Sequence, residues 1–264
     1  MEIIGYIGAI LMGLSLGLIG GGGSILTVPI LVYLFHVDAV LATAYSLFIV
    51  GLTSLVGSIS HIKLGNIHWK TALVFGVPSI ISVFFTRSVI VPHIPNPMFS
   101  IGTLVVSKAM GLLVLFAIIM ILAAYSMIKP SKKKAETNES DIAFNFPLIL
   151  AEGLIVGIVT GLVGAGGGFL IIPALVLLAK LPMKKAVGTS LMIIAAKSLI
   201  GFIGDMKGAE VIDWKFLFIF SSIAIVGILV GSILSKKIAG EKLKPAFGWF
   251  VLIMGIYIIL KELL

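Results

Sequence analysis

A glycine cluster followed by a proline occurs twice in apolar surroundings, and it forbids a continuous membrane helix at either place. The run Gly17-Leu18-Ile19-Gly20-Gly21-Gly22-Gly23-Ser24-Ile25-Leu26-Thr27-Val28-Pro29 returns 144 positions later as Gly161-Leu162-Val163-Gly164-Ala165-Gly166-Gly167-Gly168-Phe169-Leu170-Ile171-Ile172-Pro173, with 7 of 13 residues identical. Each glycine weakens a helix by about 1 kcal/mol relative to alanine. In lipid, the backbone groups freed by such a break must find partners inside the protein. Broken helices at matching positions of two halves point to a binding site between repeats. For Gly13, Gly17, Gly157 and Gly161 the plainer role suffices: small residues four apart let helices pack closely.

The surroundings are those of an integral membrane protein, with 59% hydrophobic residues, 11% charged residues and a mean hydropathy of +1.23. The formal charge of +8 sits in short loops between apolar runs, as retention of basic loops in the cytoplasm produces, and nucleic-acid binding is not expected. With no cysteine, disulfides, thiolate metal sites and thiol catalysis are excluded. No cleavable leader is expected, because Glu2 and an apolar run lead straight into the first glycine motif.

Apolar stretches of about 20 residues predict spans at 39–61, 68–90, 101–128, 185–204, 213–235 and 245–263, leaving the glycine segments 3–36 and 146–179. Each of these is too long for one crossing and too short for two. Charge arbitrates. If all eight segments cross once, the loop cations divide nine against eight; if the glycine segments dip in and return, they divide thirteen against four, with only Arg87, Lys207, Lys215 and Lys261 outside. The prediction is an all-α membrane protein of two inverted-topology repeats, each a re-entrant broken-helix hairpin plus three transmembrane helices. Repeat 1 is 1–128, a cytoplasmic linker is 129–145, repeat 2 is 146–264, and both termini are outside.

A glycine-rich break ahead of a new helix presents unpaired N–H groups at a positive dipole end, with no side chains in the way, which suits an anion. The candidate substrate-binding residues are therefore Gly20, Gly21, Gly22, Gly23 and Ser24 in the first tip and Gly164, Gly166, Gly167 and Gly168 in the second. The repeat continues from Ala42–Gly57 to Ala186–Gly201 with 7 of 16 residues shared, so Ser46 matches Ser190. These two hydroxyls and Thr189 are candidate donors from the helix after each hairpin, while bonds to their own helices are an equal alternative. Lys197 lies well inside a span, where a lysine costs about 2.5–3.5 kcal/mol, and is the candidate counter-charge; its repeat equivalent is Thr53. His61 and Asp205 end equivalent spans, as interface markers or as a gate or proton-handling pair.

The paired glycine motifs, with Gly188-Thr189-Ser190-Leu191 and Ser198-x-x-Gly201-Phe202, resemble the sulfite exporter TauE/SafE family over nearly the whole chain. The resemblance implies a permease for organic or inorganic sulfur anions such as sulfite, sulfoacetate and other sulfonates. Two residues depart from the pattern: Lys197 stands where the family often has asparagine, and Tyr45 where the first repeat would have threonine. An inside-negative potential drives each negative charge outward by about 2.3 kcal/mol per 100 mV, and no deeply buried carboxylate offers proton coupling, so export or facilitated diffusion by alternating access is expected. Readings from other classes stay open: an intramembrane serine hydrolase using Ser24 and His61, or a scaffold with no substrate. The expected partners are a small anion and the lipid bilayer of the cytoplasmic membrane, with a homo-oligomer compatible; neither metal nor cofactor is expected.

Overall fold

The protein is seen here in a computed structural model that describes residues 2–101, 104–129, 146–177, 179–206, 212–235 and 240–263. The predicted linker from residue 130 onward, Lys207, Lys236 and Lys237 lie outside these residues. Helix α1 (Glu2–Ile19) is followed by a 3-10 turn (Gly22–Leu26), α2 (Thr27–Tyr33) and α3 (Ala39–Lys63). Helix α4 (Trp69–Phe85) runs through a π turn (Thr86–Ile90) into α5 (Val91–His93). After a small hairpin of β1 (Phe99–Ile101) and β2 (Leu104–Val106) comes α6 (Lys108–Ile128). The second half contains α7 (Phe146–Val163), α8 (Gly168–Leu177), α9 (Met183–Asp205), α10 (Trp214–Leu234) and α11 (Gly240–Leu263).

Six helices among the described residues are long and apolar enough to cross a bilayer: Ala39–Lys63, Trp69–His93, Lys108–Tyr125, Phe146–Val163, Met183–Asp205 and Trp214–Leu234. Five match predicted spans, while α11 covers the predicted span 245–263. The remaining one, α7, was expected as one arm of a hairpin. The third predicted span is corrected at its start: apolar residues 99–101 and 104–106 pair as antiparallel strands, and Ser107 caps α6 by accepting from Met110 N–H. Capping sets other helix starts, since Asp38 accepts from Val40 and Leu41 at α3 and Asp213 accepts from Phe216 at α10.

The apolar surface faces outward. On α4, Leu73, Val77, Ile81 and Phe85 form an exposed stripe at every fourth position, whereas Phe75, Ser79 and Ser82 on the other side are buried. Such a stripe would drive association in water, and a bilayer solvates it. Trp69 and Trp214 open α4 and α10 and are exposed, in the manner of interfacial anchors. The interior is where hydroxyls collect, with Ser24, Ser46, Thr53, Ser54, Ser190 and Ser198 all fully buried.

The sequence repeat is reproduced in backbone detail. Gly20 and Gly164 each follow the last residue of a helix in the left-handed region, at φ 78° and 74°, and their N–H groups donate to Leu16 and Thr160 four residues back. Where the returning arms end, His36 and Lys180 are again equivalents with positive φ. The bonds around them match, with Val37 N–H to Leu31 O and Leu181 N–H to Leu175 O both 3.0 Å. Helix packing follows the same correspondence: α1 lies on α10 and α7 on α4, α3 meets α10 as α9 meets α4, and α3 packs on α9 and α6 on α11. Each half therefore places its first helix on the other half.

Small residues make these crossings close. A Cβ on Gly17 would fall 2.5 Å from Ile228 O, and one on Gly157 would fall 2.5 Å from Ser79 O. The packing role assigned to these flanking glycines is the one the structure gives them.

Candidate functional site

The first glycine cluster turns the chain back along the helix it has just left. In the first half Gly5 touches Phe35, Gly8 touches Ile30, and Gly23 lies on the backbone of Met12 and Leu16, so α1 and the following turn and helix form a hairpin. The two tips then meet. A Cβ on Gly21 would lie 2.6 Å from the carbonyl carbon of Gly168, and one on Gly168 would lie 2.5 Å from Gly21 Cα. Only glycine permits this approach of backbone to backbone.

The tips rest on opposite central helices. Gly20 abuts Val187 of α9, and Ser190 Oγ–H donates to Gly20 O at 2.9 Å while also approaching Val187 O at 2.8 Å. Gly164 abuts Thr43 of α3, the equivalent of Val187, and Gly166 lies against Val50. Helices α3 and α9 are antiparallel, with Gly51 against Leu199 and Leu47 against Gly201. That register puts the equivalents Thr53 and Lys197 at one level, near the middle of both helices.

The halves differ in geometry and charge. The first cluster enters a 3-10 turn at Gly22, whereas Gly166 and Gly167 hold φ of 62° and 67°, and α8 starts only at Gly168. Lys197 is fully buried, and its Nζ donates to Thr160 Oγ1 at 3.0 Å. The same Nζ would lie 2.9 Å from a Cβ placed on Gly167. A cation thus stands directly at the second tip, while its counterpart Thr53 has a buried hydroxyl with no partner among the described residues. Snorkelling to the interface is not what Lys197 does.

Other predicted residues have different surroundings. Ser24 Oγ–H donates to Gly21 O at 2.8 Å, steadying the first tip. Ser46 is buried with no partner among the described residues. The Thr189 hydroxyl accepts from His68 N–H at 2.9 Å and so ties the loop before α4 rather than reaching a tip. His61, in the last turn of α3, lies beside Gly188. With Ser24 engaged by a carbonyl and His61 at that loop, these two side chains are not paired as nucleophile and base.

Arg87 was missed. The sequence places it among the loop cations at the end of a span, but it is 1% exposed inside the π turn that follows α4. Its Nη1 donates to Thr43 Oγ1 at 2.9 Å and lies 3.5 Å from Asp205 Oδ1. The signal available in the sequence was Pro92, which has no N–H and crowds the carbonyl four residues before it, so the helix widens there and continues to His93. Without Arg87 the loop charges divide thirteen against three, in the same direction as before. Among the described residues no group of three or more His, Asp or Glu side chains is placed to hold a metal.

Probable membrane transporter proteins are similar over about three quarters or more of their length. The one from Xylella fastidiosa (strain 9a5c) is 28% identical over 256 residues, covering 96% of this chain and 92% of the relative. The one from Methanocaldococcus jannaschii is 27% identical over 271 residues, covering 98% and 94%. YdhB of Bacillus subtilis is 29% identical over 194 residues, covering 74% of each. No solved structure matches. The Ser24/His61 hydrolase reading is not favoured, because these relatives are named as probable membrane transporters and Ser24 Oγ–H is engaged by a backbone carbonyl. Residues 6–258 match the family described as sulfite exporter TauE/SafE, and the chain belongs to that family as a membrane transporter, not an enzyme.

Proposed function

We propose that the protein is a permease for small organic or inorganic sulfur oxyanions, sulfite and sulfonates such as sulfoacetate among them, with the anion held near the bilayer midplane at the meeting point of the two glycine tips. The observation that carries this reading is the Lys197 ammonium beside Gly167, where the tip of one hairpin touches that of the other. A buried ammonium held by a single hydroxyl gains from an anion, and the glycine backbone lets that anion come close. Binding is assigned to Gly20–Ser24, Gly164, Gly166–Gly168, Ser190 and Lys197, with Ser46 as a further donor.

In this reading each hairpin is re-entrant, the repeats are inverted, and the loops following α3, α6, α8 and α10 are cytoplasmic with both ends of the chain outside. Alternating access is movement of one hairpin-bearing half against the other, and the membrane potential makes outward flux the passive direction. Thermal stability of the purified protein against sulfite, sulfate, thiosulfate, sulfoacetate, taurine and acetate tests the substrate class. A rise in melting temperature limited to sulfur oxyanions and lost in Lys197→Ala is the expected result. Equal response to acetate, or none to any of the six, sinks it. Topology is tested separately in this cysteine-free chain by Gly65→Cys and Met206→Cys, which should be labelled from opposite sides of the membrane.

A further inference from the structure

One buried cation has no task in the permease scheme. Arg87 presents five N–H donors, and Nη1 alone serves both of its partners, Thr43 Oγ1 and Asp205 Oδ1. Nε and Nη2 have no acceptor among the described residues, and neither does Asp205 Oδ2 have a donor. Nε–H and one Nη2–H point the same way, along the edge of a guanidinium that takes two oxygens of an oxyanion at once. A pair built for stability would use that edge with both carboxylate oxygens. Asp205 instead meets the far end of the group through one oxygen at 3.5 Å.

The position is also telling. Thr43, which steadies Arg87, is the residue whose backbone the second tip touches at Gly164, and Thr86 packs on Gly161 just before that tip. Gly204 lies against the stem, where a Cβ placed on it would fall 3.1 Å from Arg87 Cβ. Asp205 is eight residues beyond Lys197 on α9, about 12 Å along the axis, and its side chain is 13% exposed whereas that of Arg87 is fully buried. Asp205 therefore lies nearer the rim than Arg87, with the guanidinium between it and the tip.

We propose that Arg87 is a second anion-binding station, between the glycine tip and the Asp205 end of α9, and that Asp205 is an internal stand-in displaced from it by the passing oxyanion. The proposal rests on the permease reading. An anion moving from Lys197 docks on the Nε/Nη2 edge, and its negative charge repels the carboxylate, which swings toward the rim. When the anion leaves, Asp205 returns, so Arg87 is never left as a bare charge in a low-dielectric interior. Because the edge needs two oxygens side by side, the station favours oxyanions over halides of equal charge.

The test compares wild type, Asp205→Asn and Arg87→Lys in the full chain, reading sulfite binding by thermal shift and sulfite efflux from proteoliposomes, with chloride as the spherical control. Removing the competitor should tighten sulfite binding in Asp205→Asn. Arg87→Lys keeps the charge but not the paired donors and should weaken sulfite about tenfold or more, with chloride unchanged. Unchanged or weaker sulfite binding in Asp205→Asn overturns the proposal even where Arg87→Lys does not fold, and Arg87→Lys with wild-type sulfite affinity overturns it too. A wild-type protein that responds to no sulfur oxyanion is a different failure, that of the permease reading itself, and removes both.

Discussion

Alanine at Gly21 isolates the contact between the tips from every other effect. At φ 176° Gly21 lies outside the left-handed region, and the main change is the added methyl. That methyl would lie 2.6 Å from the Gly168 carbonyl carbon and 2.7 Å from its Cα. Carbon atoms rest at about 3.5–4.0 Å, so the tips must part by roughly 1 Å. Both atoms belong to backbone, and no rotamer change relieves them. Forcing a methyl into a closed interior costs about 1–3 kcal/mol. Gly65→Ala is the matched control: nothing lies within 4 Å of the new methyl, but φ of 65° makes alanine unfavourable by about 1–2 kcal/mol. Both variants should insert and lose similar stability, whereas only Gly21→Ala should lose sulfite efflux from proteoliposomes and the sulfite-induced rise in melting temperature. Wild-type efflux in Gly21→Ala, or equal loss in both, refutes the argument that transport depends on tip contact.

Further expectations follow from other contacts. Lys197→Met removes a buried charge that has one hydroxyl partner, so the ligand-free protein should become more stable by about 1–4 kcal/mol in thermal or denaturant unfolding while sulfite no longer protects it. Asp213→Ala removes the cap accepted from Phe216 N–H and should cost about 1 kcal/mol with efflux unchanged. Gly157→Leu pushes α7 away from Ser79 and Ser82, against which even a Cβ would fall at 2.5 Å and 2.6 Å; gel filtration should show little folded protein, in contrast to Gly21→Ala.

The breaks in the first and seventh helices were legible because glycine clusters leave a mark that hydropathy cannot erase, and the break positions Gly20 and Gly164 are where the repeat placed them. Lys197 was legible for a similar reason, as a lone charge in an apolar run. Arg87 was hidden because it lies near a span end, where a cation ordinarily meets water, and only the π turn draws it inward. The strands at 99–101 and 104–106 were invisible because hydropathy alone does not separate them from the span that follows. Thr189 shows the limit at finer scale: its hydroxyl could serve a tip or a loop, and the arrival of His68 from the other half decided the matter.

The exchange of first helices between halves has a consequence for biogenesis. Helix α7 finds its partner α4 already made when it leaves the ribosome, as Gly153 meets Phe75 within the chain already synthesised. Helix α1 must wait for α10, since Gly13 docks on Ala224 about 200 residues later. At roughly 5–20 residues per second, the glycine face of α1 spends about 10–40 s against lipid or a chaperone before its seat exists. A molecule that is nearly symmetric in space is thus built in a strictly unsymmetric order, with α7 seated on α4 before α10 exists to receive α1.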